Sequence, residues 1–333
     1  LDTLPPAYRG CSGLDFYRRI GADIFLLNGW GTGHHFQSPA LQWEPGVEVT
    51  SSNKDGCNTQ RITTADGSLH CTWKQNHPVK YLVETREDLE TYHSLWSGAR
   101  FVEKDDSEVM TALEQMVGED GIITRFWGPS AIPRLLEKDM GTVNFYYLLN
   151  DHPAEMDALI HLMHERQLEA FKILARCPCE TVTLVENTST LYISPDIYRQ
   201  YNGPQVRAFV EIIRSAGKIP IVHMCGHVRN LLADIKGTGL AGVHTLTPPP
   251  TGDTPWELAL DVLGEDQVIF GTLDPGLFEL APLPRLEEAL DALITARLRR
   301  ANFVLTPMAD GHCVPLERFQ TVARWVERNG NRN

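Results

Sequence analysis

The sequence has no excess of basic charge, no long apolar run and no paired-cysteine framework, and each absence removes a class of function. Its 333 residues carry 30 Lys and Arg against 43 Asp and Glu, a formal net charge of -13. Nucleic acid and anionic membrane both call for basic surface, so neither is expected as a partner. No run of about eighteen apolar residues occurs and there is no signal-peptide pattern, so nothing is expected to span a membrane or direct export. A soluble, cytoplasmic protein is the expectation. The seven Cys are odd in number and scattered, which fits reduced thiols better than disulfides. Cys177-Pro-Cys179 reads as a helix-to-strand connection. Nucleotide signatures are missing as well: the glycine-rich segment from Asn28 to Gly33 has neither the P-loop Lys nor dinucleotide spacing. His34 and His35 follow it as a solvated loop. With 42% hydrophobic residues, the chain can still bury a full core.

What is present is a repeating rhythm. An amphipathic helix over 14–21 leads to a buried strand at 23–27. Residues 47–83 then alternate polar and apolar, with Asp55-Gly56 and Asp66-Gly67 as hairpin turns. After Glu84 the pattern becomes helix and strand in turn. Helices are expected near 86–97, 106–117, 153–175, 195–216, 227–236, 254–263, 284–300 and 315–328. Strands are expected at 121–127, 181–186, 219–225, 242–247, 268–273 and 302–306. Repeated β-α units imply a parallel sheet with crossover helices. The fold class expected is α/β, a (β/α)8 TIM barrel with an N-terminal antiparallel β insertion. The domain expectation is one barrel over 1–333 with a β-hairpin insertion at about 45–83. Seven core strands are counted, and the eighth is expected before Leu1, in residues missing upstream.

Chemistry concentrates where one strand ends. The segment from Ile219 to His227 carries His223 and Cys225 two residues apart, a spacing that puts both side chains on one face of an extended strand. A glycine turn follows at Gly226. A second strand, from Phe303 to Pro307, runs into Cys313. One His and two Cys match a catalytic zinc site, in which three protein ligands leave one position open. Barrel active sites collect at the C-terminal ends of the strands, where these three residues fall. The bland alternative is packing, since a free Cys behaves as a small hydrophobe.

These residues make the chain similar to the uroporphyrinogen decarboxylase-like superfamily, and within it to the corrinoid-dependent zinc methyltransferases. The resemblance covers most of the chain from about Gly13. It rests on the segment from Thr181 to Asn187 with that from Ile193 to Tyr201, on Phe270-Gly-Thr-Leu-Asp-Pro275, and most specifically on His223, Cys225 and Cys313. True decarboxylases lack those thiols, and the decarboxylase branch's arginine-rich N-terminal motif is not found. The segment from Arg61 to Leu69 with the acidic stretch from Glu84 to Glu90 looks like the O-demethylase members.

The resemblance implies demethylation of a small methyl donor, an aryl methyl ether before others, with transfer to the Co(I) centre of a corrinoid protein. Zinc and a partner-borne cobalamin are the implied cofactors, because no cobalamin module is evident. Uroporphyrinogen-type decarboxylation and methylation of a thiol acceptor are the alternatives. Glu186, closing its strand, and His244, on the next strand after His223, are candidates for the fourth metal position or for catalysis, and Glu186 is counted with the metal ligands. Asn187, His227, Asp310 and His312 are candidates to orient those ligands. Asp274-Pro275 reads as a turn or helix start. The quaternary state is left open, with a homodimer among the options.

Overall fold

The computed structural model describes residue 8, residues 11–307 and residues 314–330. Its strands are Ile24–Leu27 (β1), Ala40–Gln42 (β2), Glu48–Lys54 (β3), Cys57–Thr63 (β4), Ser68–Lys74 (β5), His77–Lys80 (β6), Arg100–Val102 (β7), Gly121–Trp127 (β8), Thr181–Val185 (β9), Ile219–His223 (β10), Gly242–Leu246 (β11), Val268–Leu273 (β12) and Phe303–Pro307 (β13). Seven of these form one sheet in the order β1-β8-β9-β10-β11-β12-β13, all parallel. The sheet is rolled. Phe25 on β1 meets Phe270 on β12 with ring centroids 4.9 Å apart, although four strands separate β1 from β12 in the sheet. This is the barrel architecture expected from the β-α rhythm, with the helices outside.

Local chemistry explains the main elements. The helix Arg86–Ser97 starts at Thr85 with a reciprocal capping box to Asp88, which satisfies donors that a helix start leaves open. The helix Pro153–Leu174 has Pro at its first position. Its stripe of Met156, Leu159, Ile160, Met163 and Phe171 is buried, while Leu168 is partly covered. That stripe packs against Arg86–Ser97 and Gly203–Ser215. Phe171 stacks on Phe209 at 4.0 Å and meets Trp127 edge-on at 5.2 Å.

The alternating region folds as the separate antiparallel sheet β3-β4-β5-β6. Two of its hairpins turn at Asp55-Gly56 and between Thr63 and Ser68, where Asp-Gly had signalled them, and the third turns at Gln75-Asn76. Ile62, Leu69 and Cys71 face the helical layer and are buried. β2 and β7 form a small antiparallel pair.

Several stretches depart from expectation: the strand expected to reach 225 ends at His223, the helix expected from 227 is a short turn Arg229–Leu231 and the helix Leu232–Lys236, and 284–300 divides into Leu283–Leu293 and Leu298–Arg300. The region expected as one helix over 195–216 is Pro195–Ile197, a π-helical turn Tyr198–Asn202 and Gly203–Ser215. Residues 131–151 form the helix Ala131–Arg134, a π-helical turn Leu135–Asp139 and the helix Gly141–Asp151, which the periodicity had not signalled. The exposed positions of Gly141–Asp151 include the apolar Val143 and Tyr147, and the π-helical turn breaks the 3.6-residue spacing, so no clean apolar stripe is set against a polar face. Among the described residues no helix is long and apolar enough to cross a membrane.

Candidate functional site

β10 is held between β9 and β11 in a register that puts Val185, His223 and His244 at one level. Phe270 on β12 continues that level. The imidazoles of His223 and His244 meet through Nδ1 and Nδ1 at 2.8 Å. Phe126 stands edge-on to His223 at 5.6 Å, and Phe25 and Phe270 lie 5.5 and 5.2 Å from His244. Burial among these rings pushes the His223 imidazole down to about 4. Burial, and then the neighbouring His223, push His244 down to about 3. Both rings are therefore neutral near pH 7, and one must donate its Nδ1–H to the other. With His223 as donor, its Nε2 lone pair is free, the state in which imidazole binds a metal while its other nitrogen is held by a neighbour.

Cys225 lies two residues beyond, partly buried, with its Sγ 3.9 Å from the Asn187 side-chain oxygen. Asn187 has a left-handed backbone, φ 45°, a conformation that Asn tolerates better than most residues. Its Nδ2 donates to Glu137 Oε2 at 3.3 Å, and its carbonyl accepts from the Tyr192 hydroxyl. Glu137 sits on the π-helical turn, and burial raises its carboxyl above the ordinary value. Burial, then the charges of Glu137 and Cys225, push the Tyr192 phenol up. Sequence reading missed Glu137 and Tyr192. The only available signal was that π-turns gather at functional sites, and a π-turn is not visible in sequence.

Glu186 is placed differently from expectation. Its carboxylate accepts from the Ser130 backbone N–H at 3.1 Å and from the Ser130 hydroxyl at 2.6 Å, and the residue is 1% exposed. Val185 is level with His223, so the next residue turns to the opposite face. Asn187, not Glu186, is the residue that the structure brings to Cys225. Burial raises the Glu186 carboxyl to about 7, although the Ser130 hydrogen bonds oppose the shift.

The His227 backbone N–H is bound by the Ser189 hydroxyl. Asp274 starts a helical turn, accepting from the Leu277 N–H through Oδ1 at 2.9 Å. Cys313, His312 and Asp310 lie outside the described residues. Among the described residues there is no group of three or more His, Cys, Asp or Glu side chains that could hold a metal ion. The donors that are described fit zinc by their chemistry, being a neutral imidazole and a thiol outside any disulfide.

A family model described as uroporphyrinogen decarboxylase (URO-D) matches residues 125–328. No curated protein matches the sequence. Among solved structures, the chain is similar to a methyltransferase from Methanosarcina mazei, at 12% identity and TM-score 0.52, covering 75% of this chain and 71% of that one. A D-psicose 3-epimerase solved in the presence of D-fructose is a looser match, at 10% identity and TM-score 0.41, covering 68% and 86%. The first likeness is one of fold.

Proposed function

The chain belongs to the uroporphyrinogen decarboxylase (URO-D) family, and from that membership we propose a zinc-dependent methyltransferase that takes a methyl group from a small donor, an aryl methyl ether, and passes it to the Co(I) centre of a corrinoid protein. The observation that carries this reading is the pair of soft donors at the end of one barrel strand, His223 kept neutral and Cys225 beside it. Cys313 is the third donor of the proposed set. Zinc bound by these residues would supply positive charge beside the ether oxygen, where negative charge develops as the methyl group leaves.

The chain's own groups have distinct tasks in this proposal. His244 fixes the His223 ring through the 2.8 Å contact between their Nδ1 atoms, so that Nε2 keeps one direction. Phe25, Phe126 and Phe270 keep water from the two rings. Before metal binding the Cys225 thiol donates to the Asn187 side-chain oxygen, a bond given up when the thiol ionises to ligate zinc, and Glu137 accepts from the Asn187 amide on the other side. Glu186 acts on the site through its strand end and Ser130, not at the metal.

The test mixes the protein with a Co(I) corrinoid protein and, separately, methoxyarenes, methylamines, methanol and methyl thiols. Loss of the Co(I) absorbance with methoxyarenes alone is the expected result. Carbon dioxide release from a tetrapyrrole polycarboxylate by metal-free protein, with no change in Co(I) under any donor, would overturn the proposal in favour of decarboxylation.

A further inference from the structure

A second cavity, of about 360 Å³, lies between the antiparallel sheet and the helical layer. Trp43, Trp73, Ile62 and Tyr92 form much of its apolar wall, and Arg134 and Lys138 bring two positive charges to it. Its volume falls in the range of small-molecule sites, which are mostly apolar with a few placed polar groups.

Arg134 is held in one orientation. Its Nε donates to Asp139 Oδ2 at 2.9 Å, and the Tyr92 hydroxyl donates to the same oxygen at 2.6 Å. Its guanidinium carbon stands 5.3 Å over the Trp96 ring. The protein thus uses the Nε edge for its carboxylate contact, with the Tyr92 hydroxyl close by, and among the described residues no second carboxylate meets the two terminal nitrogens. Exposed Lys138 has no ion-pair partner there either. The lining thus carries two cations, Arg134 and Lys138, against one carboxylate, Asp139, in a chain of net charge -13. The terminal guanidinium N–H groups, which meet no carboxylate of the protein, match a ligand carboxylate in a two-pronged bond, and indole and phenol faces suit an aromatic ring.

We propose that this cavity binds a small aromatic carboxylate, at a site separate from His223 and Cys225. Arg134 takes the carboxylate, Lys138 adds charge at the rim, and the Trp43 and Trp73 walls cover the ring. The same π-helical turn, Leu135–Asp139, carries Glu137 to Asn187 at the other site. The inference is independent of the zinc reading.

The test is calorimetric titration of the intact protein with benzoate, with neutral benzamide and ring-free acetate as comparisons. Benzoate is expected to bind saturably, with benzamide and acetate each weaker by about tenfold or more. Two exposed wall positions allow variants that leave the fold intact. Lys138→Glu is expected to weaken benzoate about tenfold, and Val49→Phe, at a residue 46% exposed, to block it. Cys225→Ala is expected to bind benzoate as the parent does. The proposal is overturned by no saturable heat up to about 10 mM benzoate, by equal binding of benzamide, by parent-like affinity in both wall variants, or by loss of binding in Cys225→Ala.

Discussion

Inside the barrel mouth two imidazoles lie 2.8 Å apart among phenylalanine rings. On the opposite face of the adjoining strand end, a carboxyl group is buried against Ser130. Both regions remove charge, by shifts of opposite sign: burial lowers an imidazole and raises a carboxyl, because it disfavours whichever form is charged. The regions differ in what they leave available. The imidazole pair keeps a lone pair for a ligand, whereas the carboxylate spends its oxygens on Ser130. A buried titratable residue beside a site is therefore not automatically part of it, and the face it occupies decides.

The largest effect that separates the two regions concerns the proposed metal. His223→Ala is expected to lower zinc affinity by well over a hundredfold, a larger loss than orienting residues cause, while Glu186→Gln keeps its zinc. Competition with a chromogenic chelator measures both, and equal loss from the two variants would erase the distinction.

The next prediction uses metal-free protein and the pH dependence of its unfolding by urea. The imidazoles have an ordinary value of 6.5 and folded values of about 4 and about 3. As pH falls below 6.5 the unfolded chain takes up protons that the folded rings refuse, so stability drops until pH passes the folded values. The loss is roughly 3 kcal/mol for His223 and roughly 5 kcal/mol for His244. The double variant His223→Phe and His244→Phe is expected to flatten that acid-side decline; an unchanged slope would show that the rings are charged in the folded state.

The opposing slope from Glu186 is smaller, since a single group produces it. Its ordinary value is 4.5 and its folded value about 7. Below 4.5 both states hold the proton; between 4.5 and about 7 only the folded state does, so stability falls as pH rises, by about 3 kcal/mol in all. Above that window the cost is constant. In Glu186→Gln this decline is expected to vanish, and comparing the two urea curves across the window checks it. The His and Glu slopes overlap and partly cancel in the parent, so only the variants resolve them.

Much of the fold was legible because its signals are local. The Asp55-Gly56 hairpin, the Asp66-Gly67 turn and the apolar strand runs each depend on a few neighbouring residues, and the order of β-α units follows from them. The helical stretch 131–151 was not legible, because its exposed face carries apolar Val143 and Tyr147 and a π-helical turn interrupts its period. His223 and Cys225 stood out by residue type and spacing. Asn187 in place of Glu186 was not evident, since the strand was read as running to 186, and the face of its last residue depends on register with β10.

The sequence alone determined the class of architecture and the presence of soft donors at a strand end, because strand periodicity, turn residues and the His-x-Cys spacing are properties of short segments. Only the tertiary structure decided which groups meet. The His223 and His244 contact depends on the parallel register of two strands joined by a crossover, the Glu137 and Asn187 bond on how a π-helical turn packs over the barrel mouth, and the place of Arg134 in a cavity wall on a sheet inserted far upstream. Such distances are set by packing many elements at once.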